Sequence, residues 1–171
     1  MAAILVGAGS LALGQQAPDA QTLARLKMLF PTAASFSPKE GEPPHFKALG
    51  PGARGSEPVI GYAFWTTEAV PLERGYGGPI PILVGIDIKG FLTGVSVGAH
   101  REPYGDFSID RAEFPAQFRN KDVRDPFKLG GDIDAVSRAT ITMSSAVRTI
   151  RNGSRRIARQ LIAPPSEAAK P

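Results

Sequence analysis

Five hydroxyl side chains crowd into one short stretch of this 171-residue chain. The stretch DIDAVSRATITMSSAV runs from Asp132 to Val147, and its hydroxyls belong to Ser137, Thr140, Thr142, Ser144 and Ser145. A helix N-terminus leaves about four backbone N–H groups unpaired and carries the positive end of the helix dipole, so hydroxyls and anions both bind there. Two interpretations stay open: a helix cap with spare hydroxyls, or a phosphate site.

Arg138 lies among these hydroxyls and favours the phosphate site. A guanidinium can donate two parallel hydrogen bonds to phosphate oxygens. The sequence contains neither GxxxxGK nor GxGxxG, which argues against a conventional nucleotide-binding loop. Something else would have to hold the anion, and a covalent bond is one way.

A glycine-rich loop, Gly75-Tyr76-Gly77-Gly78-Pro79, is the second candidate for chemistry. Three glycines in four residues let the backbone approach a ligand closely and present its N–H groups in conformations closed to other residues. The alternative is an ordinary loop between strands.

Composition restricts the chemistry further. The chain has no cysteine and two histidines, which excludes disulfides, thiolate zinc sites and iron–sulfur ligation and leaves little for an all-protein metal site. Redox chemistry would therefore need a bound organic cofactor. The net charge of +4 and pI of about 9.6 do not identify a nucleic-acid binder, and none is expected as a partner.

The remaining patterns predict a single α+β domain in which helices pack on an antiparallel sheet. Helical spacing follows a possible N-cap at Asp19 and stops at Pro31, whereas residues 35–58 are rich in Pro and Gly and predict a surface loop. Residues 59–70 alternate as a strand. A hairpin of strands at 82–88 and 92–98 turns at Lys89-Gly90.

The C-terminal half predicts irregular structure with one short helix from Arg101 to Gly131, then a long helix from about Thr140 to Ile162. Apolar residues from Met143 to Leu161 recur on one face of that helix. Arginines line the other face: Arg148, Arg151, Arg155 and Arg159. We interpret this second face as a solvated surface, with docking to an acidic partner or anionic lipid as the alternative.

The two ends of the chain differ in pattern from its middle. Residues 1–16 form an apolar run that ends in small residues of the kind signal peptidase reads, so we expect a signal peptide or N-terminal anchor. The usual basic start is missing, which leaves a buried core element as the alternative. Residues 17–162 are the expected domain, and residues 163–171 are expected to be a disordered tail.

The segment DAVSRAT, from Asp134 to Thr140, resembles the flavinylation motif of FMN-binding domains. That motif reads Asp-x-x-(Ser/Thr)-Gly-Ala-(Thr/Ser), and its last residue is esterified to the phosphate of FMN. Such domains occur in the nitrous-oxide reductase maturation protein NosR and in flavin subunits of the Rnf and sodium-translocating NADH:quinone complexes. Arg138 stands where Gly is commoner, which makes the NosR-like branch the most similar.

The resemblance extends from about Val59 to Gln160, because the strand, glycine loop and hairpin precede the motif in the family's order. HREPYGDF, from His100 to Phe107, is similar to the family's (H)xETPGLG loop. The resemblance implies that Thr140 carries FMN covalently. The residues it implicates in flavin binding are Tyr76, Gly77, Gly78, Glu102, Ser137, Arg138, Ala139, Thr140, Ile141 and Thr142.

The function that the resemblance implies is electron transfer by a flavoprotein subunit rather than by a stand-alone enzyme. Its expected partners are an FAD-dependent FMN transferase for maturation and membrane-bound or periplasmic redox proteins. The apolar N-terminus adds an expectation of export to the periplasm or to the outer face of the cytoplasmic membrane, with membrane association. The alternative function is a regulatory or scaffold module of the same fold that carries no flavin.

Overall fold

A five-stranded antiparallel sheet is the centre of the fold. The computed structural model describes residues 17–53 and 55–162. The strands follow chain order across the sheet: β1 (Ser35–Phe36), β2 (Phe46–Leu49), β3 (Val59–Trp65), β4 (Ile82–Asp87) and β5 (Leu92–Val97). The helices are α1 (Ala20–Leu29), α2 (Thr66–Ala69), α3 (Glu113–Ala116) and α4 (Thr140–Leu161). The predicted single-domain α+β class is confirmed.

The predicted start of α1 and the predicted hairpin both occur. Asp19 caps α1, because its carboxylate accepts the N–H of Thr22 at 2.8 Å. Gly90 adopts a φ of +91° in the turn between β4 and β5, a conformation that glycine reaches without steric penalty. The Asp87 carboxylate holds the same turn by accepting the N–H of Lys89 at 2.8 Å.

The prediction of a surface loop over residues 35–58 is wrong in part. This region contributes β1 and β2, which extend the sheet beyond β3. Phe46 and Ala48 are buried there. The Pro and Gly residues around these strands hid them, since four residues of FKAL are too few for an alternating pattern to stand out.

The strand predicted over residues 59–70 ends early, at Trp65. The chain then turns into α2, where the Thr66 hydroxyl donates to the Ile80 carbonyl at 3.1 Å and accepts the Ile82 N–H at 3.0 Å. This buried side chain takes over the role of backbone pairing at the end of the strand. The alternating residues of the sequence carry no sign of such a tertiary contact.

Helices cover both faces of the sheet. On one face, α4 packs its buried Met143 and Ile150 into the same cluster as Phe64 of β3. On the other face, Leu26 of α1 joins a cluster against which half-buried Trp65 packs. Phe64 and Trp65 therefore lie on opposite faces, as strand alternation requires, and both pack.

The arginines of α4 make several contacts within the domain. The Arg148 Nε donates to the Glu73 carboxylate at 2.6 Å. The Arg155 guanidinium donates to the carbonyls of Val123 at 3.1 Å and Asp125 at 2.8 Å. This face of α4 thus ties loops to the helix.

The predictions made for residues 1–16 and 163–171 lie outside the described residues. Within the part of the chain that the structure does describe, no helix is both long and apolar enough to cross a membrane.

Replacement of Gly153 by Ala tests the packing of α4 on the sheet. A Cβ at Gly153 would lie 2.6 Å from Cε2 of Phe64, whose ring is fully buried. Ala favours a helix over Gly by about 1 kcal/mol, but overpacking of a core costs about 1–3 kcal/mol. We expect Gly153→Ala to lower the free energy of unfolding by about 1 kcal/mol, measured by urea titration.

Ser144→Ala is the control, because Ser144 is half-buried on the same helix and its change should stay within about 0.5 kcal/mol. A more stable Gly153→Ala protein would mean that helix propensity outweighs the Phe64 contact.

Candidate functional site

The N-terminus of α4 is free of side-chain capping. Ala139 is the N-cap residue and makes no capping hydrogen bond, and the first helical bond runs from the Met143 N–H to the Ala139 carbonyl at 2.8 Å. The N–H groups of Thr140, Ile141 and Thr142 therefore have no intrahelical partner. The interpretation of the hydroxyls as an ordinary cap is thus not supported at the N-cap position.

A cleft of about 460 Å³ opens at this helix start, within the range of about 300–1,000 Å³ typical of small-molecule sites. It is lined by Tyr76, Pro103, Tyr104, Arg138, Ala139, Thr140, Ile141 and Thr142. Three of these apolar or aromatic side chains are largely open to solvent: Tyr76 is 71% exposed, Ile141 61% and Tyr104 46%. The cleft therefore combines an apolar wall with unpaired helix N–H groups.

The glycine loop approaches the neighbouring chain segment too closely for any side chain. A Cβ at Gly77 would lie 2.0 Å from the Arg101 carbonyl oxygen, and a Cβ at Gly75 would lie 2.3 Å from Oε1 of Glu102. Gly78 has a φ of +129°. Close approach explains Gly75 and Gly77, whereas backbone conformation explains Gly78.

Glu102 joins the glycine loop to α4. This residue is only 8% exposed, and its carboxylate accepts the N–H groups of Tyr76 at 3.2 Å and Gly77 at 2.8 Å. It also accepts the hydroxyl of Thr142 at 2.5 Å. The sequence indicates a helix-entry donor at Thr142, but this hydroxyl instead donates to a carboxylate 40 residues away in the chain.

Arg138 has a left-handed backbone, with a φ of +70°. This conformation costs an ordinary L-residue about 1–2 kcal/mol, and only Gly adopts it freely. The preference for Gly at this position of the flavinylation motif thus has a physical reason. The Arg138 side chain is exposed and lines the cleft.

Two residues outside the motif hold its backbone in place. The Gln117 side-chain carbonyl accepts the Asp134 N–H at 2.7 Å. The Asp132 carboxylate accepts the N–H groups of Phe127 and Lys128 and the Lys121 ammonium, the last at 3.1 Å. Burial acts to raise the pKa of Asp132, but these hydrogen bonds and the Lys121 charge outweigh it and hold the pKa below its usual value.

The structure brings most of the residues implicated by resemblance together. Tyr76, Arg138 and Thr140 line one cleft, with the three residues next to them in the motif and α4, and Glu102 binds Thr142 beside it. Gly77 and Gly78 shape the loop rather than the lining, and Ser137 lies outside the lining.

Sequence reasoning missed Pro103 and Tyr104 as lining residues and missed Gln117 and Asp132 as supports. An aromatic residue next to proline was the available signal for Tyr104.

Comparison with known proteins agrees with this geometry. Residues 75–154 match the model of the FMN-binding domain family. This segment is a domain of the FMN-binding family. Its match includes the glycine loop, Glu102 and the whole attachment motif. The resemblance to that family is confirmed.

Relatives over nearly the whole chain are named as a component of the ion-translocating oxidoreductase complex. The protein of that name from Pseudomonas aeruginosa is 29% identical over 191 residues, which cover 96% of this chain and 89% of the relative. Its counterpart from Vibrio vulnificus is 32% identical over 88 residues, 46% of this chain and 42% of that protein. The assignment to a NosR-like branch stays a prediction.

The residues of the FMN-binding domain fit FMN as the cofactor. Helix N–H groups and Arg138 suit a phosphate, and the exposed apolar side chains of the cleft suit a flat aromatic ring. The glycine cradle, where a Cβ would meet Arg101 and Glu102, keeps the loop and the 101–102 segment in direct contact beside them.

Asp132→Asn tests the support beneath the attachment motif. Because the folded-state pKa of Asp132 lies below the unfolded one, its contribution is present above the unfolded pKa and is lost as the pH falls through the folded pKa. We expect the substitution to lower the free energy of unfolding by about 1–2 kcal/mol at neutral pH. The difference between variant and wild type should shrink below about pH 4.

The measurement is urea unfolding at a series of pH values. Asp134→Asn removes the same charge from an exposed side chain two residues away and should change stability at neutral pH by less than about 0.5 kcal/mol. A difference for Asp132→Asn that grows in acid would contradict the assigned role.

Proposed function

We propose that this domain carries FMN as a phosphoester of Thr140 and transfers electrons as the flavin subunit of a membrane redox complex. The observation that carries the proposal is the contrast between two neighbouring threonines. Thr140 is exposed at the first position of α4 and lines the cleft, whereas Thr142 is buried and donates its hydroxyl to Glu102. Thr140 is thus the hydroxyl accessible to an external reagent.

The side chains of the cleft divide between the two ends of FMN. Arg138 and the N–H groups of the first turn of α4 would bind the phosphate. Tyr76, Tyr104 and Ile141 would cover the ring, which explains why they are exposed without it. FMN itself supplies the one- or two-electron chemistry, and the protein supplies binding, orientation and the electrostatic environment.

Attachment would require a second enzyme, an FAD-dependent FMN transferase. The Thr140 oxygen would form the bond to the flavin-side phosphorus of FAD, the bond to AMP would break, and the hydroxyl proton would leave. The chain would gain the mass of FMN minus water. No nearby base in this chain needs to act, because the transferase would bring its own.

The relatives are named as part of an ion-translocating oxidoreductase complex, which supports redox partners in a membrane. We propose that the domain lies on the periplasmic side or outer face of the cytoplasmic membrane and that it relays electrons there as part of a complex. Covalent attachment suits that location, since a dissociated cofactor would be lost outside the cytoplasm.

Intact-mass analysis of the protein, co-expressed with an FMN transferase, tests the attachment site. We expect the wild type and Thr140→Ser to gain the mass of FMN minus water and to remain yellow after denaturation. Thr140→Ala should gain nothing, because it lacks the oxygen that forms the ester.

Ser144→Ala serves as the matched control, since it removes a hydroxyl from the same helix outside the motif and should be modified fully. Added mass on Thr140→Ala would disprove the assigned site. A wild type without added mass would favour the alternative, a module of this fold that carries no flavin.

Arg138→Gly separates backbone strain from phosphate binding. Glycine relieves the left-handed conformation but has more conformational entropy to lose on folding, so we expect the free energy of unfolding to stay equal or rise by up to about 1 kcal/mol. The rate of flavin attachment, followed by mass over time, should nevertheless fall. Arg138→Lys, which keeps a cation on the same backbone, should retain part of the rate; equal rates for all three proteins would remove Arg138 from the site.

A further inference from the structure

His100 lies behind Glu102, on the side away from the glycine loop. Its Nδ1 accepts the backbone N–H of Glu102 at 3.1 Å, and its Nε2 lies 2.9 Å from Oδ1 of Asp110. The His100 side chain is 8% exposed. The imidazole therefore connects Asp110 to the residue that joins both walls of the cleft.

One tautomer of His100 satisfies both contacts. The Glu102 backbone nitrogen can only donate, so Nδ1 must be the unprotonated acceptor. The hydrogen of the neutral ring then lies on Nε2 and is donated to the Asp110 carboxylate. Asp110 thus selects the tautomer that Glu102 needs, in the way that a carboxylate commonly orients a functional histidine.

The surrounding turn fixes the position of the ring. A Cβ at Gly105 would lie 2.2 Å from Cε1 of His100, so the imidazole packs directly on the Gly105 backbone. The Gly105 carbonyl in turn accepts the N–H of Asp110 at 3.0 Å, and the Gly105 N–H donates to the Glu102 carbonyl at 3.2 Å. Residues 100–110 therefore form a closed unit with His100 inside it.

We propose that His100, oriented by Asp110, is a positioning residue for the flavin cleft, an inference that rests on the proposed function. Its Nδ1 fixes the backbone of Glu102 and so aims the carboxylate at the glycine loop and Thr142. Without this acceptor, the Glu102 N–H is left unpaired beside the cleft, and the carboxylate loses its fixed direction. The wall that carries Tyr76 then moves relative to Thr140.

Two substitutions of similar size separate the two nitrogens of His100. In His100→Asn the side-chain carbonyl reaches the place of Nδ1 and keeps an acceptor for Glu102. In His100→Gln the amide reaches the place of Nε2 and keeps the contact with Asp110. The proposal expects His100→Asn to resemble wild type and His100→Gln to resemble His100→Ala.

Two properties of the protein co-expressed or incubated with transferase and FAD are measured. The first is the rate of covalent FMN attachment by intact mass, for which we expect His100→Gln and His100→Ala to be slower than wild type by about 2- to 10-fold, the effect of one buried hydrogen bond. The second is the visible circular dichroism of the attached flavin, which reports its orientation. Its signal should be retained in His100→Asn and reduced in the other two.

His45→Asn is the control, because His45 is the other histidine of the chain and lies buried against Tyr62 and the Pro43 carbonyl. It should alter stability but neither flavin property. His100→Asn behaving like His100→Ala, or all His100 variants behaving like wild type, would overturn the inference. A wild type that takes up no flavin would instead overturn the proposed function.

Discussion

The cleft depends on one buried carboxylate. Glu102 accepts two N–H groups of the glycine loop and the hydroxyl of Thr142, so it joins a loop between β3 and β4 to the first turn of α4. A carboxylate with three donors is well satisfied away from water, whereas an unpaired one would be strongly destabilising. This requirement forces the two walls of the cleft to stay together.

That contact also explains the unusual backbone around it. Gly75 and Gly77 have no side chain because Glu102 and Arg101 occupy the space where a Cβ would lie. On the opposite wall, Arg138 keeps a left-handed φ of +70°. A strained residue persists where the surrounding structure determines it and where its side chain contributes to function, and a cation at the cleft is such a contribution.

Sequence patterns predicted the parts of this architecture that depend on local physics. The Asp19 cap, the turn at Gly90 and the apolar face of α4 follow from rules that act over a few residues. Strand β2 and the support of Asp134 by Gln117 could not be predicted, because each depends on a partner far along the chain. The site was found by resemblance, and the link from Glu102 to Thr142 was visible only in three dimensions.

The choice between the two threonines illustrates how helix geometry and tertiary contact act together. Side chains two positions apart leave a helix about 200° apart around its axis, so Thr140 and Thr142 cannot share an environment. Helix geometry alone would leave open which of them faces outward. The Glu102 carboxylate decides it, because it binds Thr142 inside the domain, and Thr140 is then the threonine that an external enzyme can reach.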